Sequence, residues 1–295
     1  MKKIYLIITI GVLLIGCKKD NQDFDASGVF ESTEVLVSSE VNGRILELNI
    51  EEGQSLELNQ TIGLIDTVQL YLKKQQLIFS TKGVQSRKQD IATQISAIKQ
   101  QIITAKREKT RIERLLANNA ANKKQLDDIN SQISVLESQL AAQTSSLEKG
   151  NNAIGSEKSA LEVQISQIED QLKRSSISSP IKGVVLVKYA QEGEVTSAGK
   201  PLFKIADVDN MILRAYITSE QLSKIKLGQE IRVFADYGES RKEYKGKVSW
   251  ISSKAEFTPK SIQVKDDRDN LVYAIKIGLK NDGYLKIGMY ADILF

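Results

Sequence analysis

The chain has 295 residues, 6% of them aromatic, with 3 prolines and a net charge of +4 from 41 basic and 37 acidic residues. Such balanced charge without a basic block argues against a nucleic-acid partner. With no histidine and one cysteine, His-based catalysis, His/Cys zinc sites and any disulfide within the chain are excluded. The composition leans towards long helices rather than one large aromatic core, and neither catalytic residues nor a metal or cofactor is expected.

The chain begins with Lys2 and Lys3 ahead of an apolar run from Ile4 to Ile15. That run is shorter than the roughly 20 residues a bilayer demands, but it suits a signal-peptide core. It ends Leu14-Ile15-Gly16-Cys17, which resembles the bacterial lipobox. The resemblance implies that residues 1–16 are removed, that Cys17 carries lipid, and that the polar residues 17–27 tether a folded body to a membrane without a transmembrane helix.

Residues 28–67 and 174–207 read as short strands punctuated by glycine, and residues 35–66 recur from residue 175 at a constant offset of 140. Ser38-Ser39 falls on Ser178-Ser179, Gly43 on Gly183, Glu52-Gly53 on Glu192-Gly193, and Ile65 on Ile205, with no gap. Gly43, Gly53, Gly183 and Gly193 mark turns or close approaches that need glycine. The two halves resemble the biotinyl/lipoyl domain, a flattened sandwich of two quasi-symmetric β units. The Met-Lys-Met motif of its carrier members is missing after Ile65-Asp66, so no carried cofactor is implied.

Between the halves, residues 68–173 contain no proline and follow a coiled-coil pattern. One seam runs Leu77, Thr81, Val84, Lys88, Ile91, Ile95, Ile98, Ile102, Ala105, Lys109, Ile112, Leu116. A second runs Leu126, Ile129, Ile133, Leu136, Leu140, Gln143, Leu147, then resumes in shifted phase from Ile154 to Leu172. That shift predicts a stutter or local unwinding around Gly150 to Gly155. The polar stretch at about 117–122 predicts the tip of an antiparallel hairpin, with Asn122 and Gln125 as a capping box for the second helix. Arms of about 50 residues would reach roughly 75 Å.

Residues 208–295 read as another β-rich unit, with strands at Ile212–Ile217, Ile231–Phe234, Lys245–Ile251 and Leu271–Leu279 and a capped turn at Ser219–Leu222. Trp250 and Tyr273 are expected to pack inside it. Asp266, Asp267 and Asp269 stand among Lys265 and Arg268 without EF-hand spacing, which fits a solvated charge run rather than a calcium site.

From about residue 28 onward, lipoyl halves split by a helical hairpin and followed by a β-rich unit resemble the membrane-fusion (HlyD-like periplasmic adaptor) family, whose last domain is a β-barrel. The expected fold is thus elongated α+β: a split lipoyl-like β-sandwich, interrupted by a long antiparallel coiled-coil α-hairpin and followed by a β-barrel. In that family the hairpin tip often carries Arg, Leu four residues on and Ser seven further. Arg111 and Leu115 match, Asn122 stands at the Ser place, and Asp127 fits an acidic position beyond it. The resemblance implies that these residues, with Asn118 and Asn119, contact an outer-membrane channel. It also implies an inner-membrane transporter as partner, a homo-oligomer of hexameric form, and a lipid-anchored place in the periplasm of a Gram-negative bacterium, with the inner membrane favoured. Because the chain stops after the closing strand, an exporter of the ATP-binding-cassette (ABC) type is expected over a resistance-nodulation-division (RND) pump. The competing readings are an envelope scaffold lipoprotein without transport and a carboxylate enzyme using Glu51, Glu52 and Glu192. Those acids sit at repeat turns with no sign of a pocket.

Overall fold

The computed structural model describes residues 24–238, 240–257 and 271–295. Cys17, most of the 17–27 tether and the Asp266, Asp267, Asp269 run lie outside the described residues. The elements run β1 (Ala26–Ser38), β2 (Gly43–Leu48), β3 (Ser55–Leu56), β4 (Thr61–Ile65), then helices α1 (Val68–Ser86), α2 (Ile91–Ala117) and α3 (Lys123–Arg174). After them come β5 (Ser176–Ser178), β6 (Gly183–Lys188), β7 (Val195–Thr196) and β8 (Pro201–Thr218). A helical turn α4 (Ser219–Leu222) leads to β9 (Glu230–Tyr237), β10 (Ser240–Ile251), β11 (Glu256–Phe257), β12 (Leu271–Lys280) and β13 (Tyr290–Leu294).

The sequence repeat becomes an exchange of strands between two sheets. One sheet is ordered β5-β4-β2-β7, and the other contains the run β1-β8-β6-β3. Each strand of one run is the repeat counterpart of the strand at the same place in the other, so both sheets hold strands from both halves. The hydrogen bonds repeat as well. Gly53 N donates to Val185 O and Gly193 N to Ile45 O, both at 2.8 Å. The buried hydroxyls of Ser39 and Ser179 donate to Val41 O and Ile181 O, both at 2.6 Å. Between the sheets Ile45, Ile65, Phe203 and Ile205 are fully buried, and each such side chain contributes about 2 kcal/mol.

The hairpin arms differ in continuity. α3 is one helix of 52 residues, about 78 Å at 1.5 Å per residue. The facing arm is broken between α1 and α2 at residues 87–90. Surface cross-arm ion pairs Lys74–Glu169, Arg87–Glu157 and Lys106–Glu137 follow the antiparallel register. The apolar seam is buried at Leu77, Val84, Ile95, Ile102, Ala105, Ile129, Ile133 and Leu147. The expected unwinding at Gly150–Gly155 does not occur, because α3 runs through it. The phase shift is taken up instead by the break opposite, where the Asn151 side chain accepts from Gln89 N at 3.0 Å and donates to Gln89 O at 2.9 Å. Asp90 then caps α2, accepting from Ala92 N at 3.0 Å and from the Thr93 hydroxyl at 2.6 Å. One amide thus satisfies backbone groups that the broken turn leaves without helical partners.

Six strands, β1, β8, β12, β10, β9 and β13, close into a barrel through the β12–β8 pairing. Its core includes Phe30, Leu213, Ile217, Val233, Ile275, Ile277 and Ile293. This corrects the expected boundaries, since the barrel is not confined to residues 208–295. Ala26 to Val29 pair with Ile293 to Tyr290, so the end of the presumed tether and the start of the first lipoyl half supply a barrel strand. β1 and β8 continue from the barrel into the sandwich and join the two. Trp250 is also corrected: a register shift between Val248 and Trp250 turns it outward, and it is 41% exposed. Tyr273 does pack against the barrel core.

Candidate functional site

The tip of the hairpin is built by two helix ends that finish each other. α2 stops in a Schellman arrangement: Ala120 N donates to Leu115 O at 2.8 Å and Asn119 N to Leu116 O at 2.9 Å. The arrangement needs a left-handed residue after the helix, and Asn119 fills it at φ 57°, a conformation asparagine tolerates better than most side chains. Asn118 turns its amide back to Arg114 O at 3.0 Å. α3 starts at Asn122, whose side chain accepts from Lys124 N at 3.1 Å while Gln125 Oε1 accepts from Asn122 N at 3.2 Å. The capping box expected at Asn122 and Gln125 is present.

Arg111, Leu115, Asn118, Asn119 and Asn122 are all exposed on this end of the hairpin. Leu115 keeps 37% of its surface open to solvent. Arg111 is already engaged: its Nε donates to both oxygens of Glu108 at 3.1 and 3.0 Å, and its Nη2 to one of them at 2.5 Å. Those hydrogen bonds hold the Glu108 carboxyl below the usual glutamate range and raise the guanidinium's affinity for its proton. Glu108 was missed as a partner at the sequence level, although the three-residue spacing on one helix face gives the signal. The arrangement has cationic, apolar and amide groups and no nucleophile beside a base. It can bind a surface.

The four repeat glycines do two different jobs. Gly53 and Gly193 hold φ 86° and 87° at matching turns. Gly43 and Gly183 permit close packing, since a Cβ on Gly183 would stand 2.2 Å from Ala206 O and one on Gly43 2.6 Å from Ile65 Cγ2. Glu51, Glu52 and Glu192 are exposed at those turns, and Glu52 accepts from Lys188 N at 3.1 Å. Among the described residues no cluster of His, Cys, Asp or Glu could hold a metal, and no helix is long and apolar enough to cross a membrane.

The family profile described as "RND MFP, barrel-sandwich hybrid domain" matches residues 33–208, more than half of the chain. The chain belongs to the membrane fusion protein family. This membrane fusion protein is 27% identical to a UPF0194 membrane protein of Yersinia enterocolitica, over 100% of this chain and 98% of that one. It is 34% identical to a UPF0194 membrane protein of Yersinia pseudotuberculosis over 125 residues, which is 42% of this chain and 38% of the relative. Among solved structures, MacA from Actinobacillus actinomycetemcomitans superposes with TM-score 0.56 at 19% identity, over 91% of this chain and 76% of that one. Spr0693 from Streptococcus pneumoniae R6 gives 0.50 at 16% identity, over 91% and 96%. At these identities the structures speak for the fold alone: an elongated α+β body with a sandwich, a long hairpin and a barrel. As a membrane fusion protein the chain is an adaptor of the efflux type.

Proposed function

We propose that this membrane fusion protein bridges an inner-membrane transporter and an outer-membrane channel from a lipid anchor on Cys17, docking the channel with the tip of its hairpin. The observation that carries this reading is the tip itself. A hairpin whose continuous helix spans about 78 Å ends in exposed Arg111, Leu115 and Asn122, with Asn118 and Asn119 shaping the turn between them. The mechanism is geometric. The transporter supplies the energy, the barrel and sandwich pack into a ring of six subunits, and the hairpins extend that ring to the channel. The anchor places the assembly in the periplasm, with the inner membrane favoured.

Affinity purification of the chain with its membrane partners tests the bridge. The intact chain should recover a transporter and an outer-membrane channel together, and Arg111→Asp with Leu115→Ser should lose the channel while keeping the transporter. Equal recovery of the channel by the variant removes the tip from the contact. The same preparation decides the transporter class, because the expected ABC type stands beside a family profile that names RND. Recovery of an ATPase subunit supports the former, and recovery of a pump without one supports the latter.

A further inference from the structure

The outer wall of the barrel carries a cationic face that the adaptor reading does not use. Along β10, Tyr244, Gly246 and Val248 are buried while Lys245, Lys247 and Ser249 are exposed. Lys247 pairs with Glu230 on β9 and with Gly278 on β12, and Lys245 pairs with Arg232. Lys276 and Lys280 lie two residues either side of Gly278, on the same face of the strand. No atom lies within 4 Å of where a Gly278 Cβ would stand, so the wall opens there. Lys245, Lys247, Lys280 and Gly278 line a shallow cleft of ≈ 520 Å³ in which, among the described residues, Glu230 is the one carboxylate. Among the described residues, the barrel's ion pairs are made instead by Arg214, Lys224, Arg241 and Lys242. Like charges opposite one another across a strand pair repel, so Lys245 and Arg232 gain from an external anion.

Two further observations say which anion. Trp250, the single tryptophan of the chain, is exposed beside this face with its ring 5.7 Å from Lys276 Nζ. An indole with a wet edge and an apolar body suits the headgroup layer of a bilayer. The chain also enters the barrel next to the same wall. Phe24 packs on Phe234 at 5.3 Å and beneath the Arg241 guanidinium at 4.4 Å, and Phe234 is two residues from Arg232 on β9. Cys17 precedes Phe24 by seven residues, a reach of about 25 Å when extended.

We propose that this wall binds an anionic lipid surface, with phosphate-bearing headgroups against Lys245, Lys247, Lys276 and Lys280 and Trp250 in the headgroup layer. The proposed Cys17 anchor contributes only the nearness of a bilayer to this assignment. The test reconstitutes the full chain in phosphatidylcholine vesicles with or without phosphatidylglycerol and reads Trp250 emission and its quenching by brominated lipid. With phosphatidylglycerol the emission should shift to the blue and be quenched, and salt at about 1 M should reverse both by screening. Lys245→Gln, Lys247→Gln and Lys280→Gln together should return quenching to the neutral-vesicle level with an unchanged circular dichroism spectrum. Lys99→Gln, Lys149→Gln and Lys173→Gln on the hairpin should leave it unaltered. Equal quenching in neutral vesicles, or no effect of the barrel variant, overturns the proposal. So does a Trp250 response to soluble heparin but not to phosphatidylglycerol, which would assign the wall to a macromolecular polyanion. The mass of the Cys17 peptide reads the anchor separately. Acylation without anionic quenching rejects the wall alone, and quenching without acylation rejects the anchor alone.

Discussion

Gly53 and Gly183 are both glycines of the internal repeat, yet they resist substitution for different reasons. Gly53 occupies the left-handed region with open space around it, so Gly53→Ala should cost about 1–2 kcal/mol from backbone strain alone. Gly183 has an ordinary backbone, but a side chain there meets the Ala206 carbonyl. Gly183→Ala should therefore depress the thermal midpoint further than Gly53→Ala, because strands β6 and β8 must separate to admit it. Thermal melts of the two variants check the order. At the tip, Asn122→Ala removes a cap and should destabilise by about 1 kcal/mol, a loss that Asn122→Ser should largely restore. Glu108 offers a pH readout. Its folded pKa is lowered, so the stabilisation from Arg111 is present above the ordinary glutamate value and is lost as pH falls through the lowered one. A carboxyl titration followed by NMR should show that low midpoint, and Arg111→Gln should return it to the usual range.

The hairpin shows what periodicity can and cannot report. The apolar steps located Leu77, Ile95, Ile129 and Leu147 on a buried seam, because a helix must turn one stripe towards its partner whatever the rest of the chain does. They also signalled a change of phase near Asn151, yet not which arm would absorb it. That choice depends on capping chemistry: Asp90 and Thr93 can start a new helix, and Asn151 can satisfy the gap at Gln89. The spacing of Asp90 and Thr93 was available in the sequence as a start signal. The reach of Asn151 across to residue 89 was not, since it needs the register of the folded pair. Asn151→Ala should speed amide exchange at residues 88–90 while leaving exchange within α3 unchanged, as hydrogen-exchange mass spectrometry would register. Faster exchange throughout α3 would mean that the break and the long helix open together.

At the scale of the whole molecule, the internal repeat made the sandwich legible because both copies must solve the same packing problem. Buried Ser39 and Ser179 hold equivalent bends in the two halves. The barrel was legible as strands but not as a closed ring. The ring includes the pairing of Ala26 with Ile293, residues far apart in the chain whose local patterns carry no sign of each other. The outward turn of Trp250 was hidden for a related reason, since one bulge in β10 reverses the face of every residue beyond it. The candidate docking residues were legible through their match to a family pattern. Of their local bonding, the tie of Arg111 to Glu108 was available as a three-residue spacing, whereas that of the Asn118 amide to Arg114 O emerges only once the helix end is built.

The central claim is that this end meets a channel, and it is tested most directly by a photo-activated cross-linker placed at position 115 in living cells. The account predicts a covalent product with an outer-membrane channel protein, identified by mass spectrometry and lost when Arg111→Asp is added. It also predicts no such product from the same cross-linker at exposed Val135, about a quarter of the way along α3 from the tip. Capture of the channel equally from both positions, or capture of none from position 115 in cells that assemble the transporter, would contradict it.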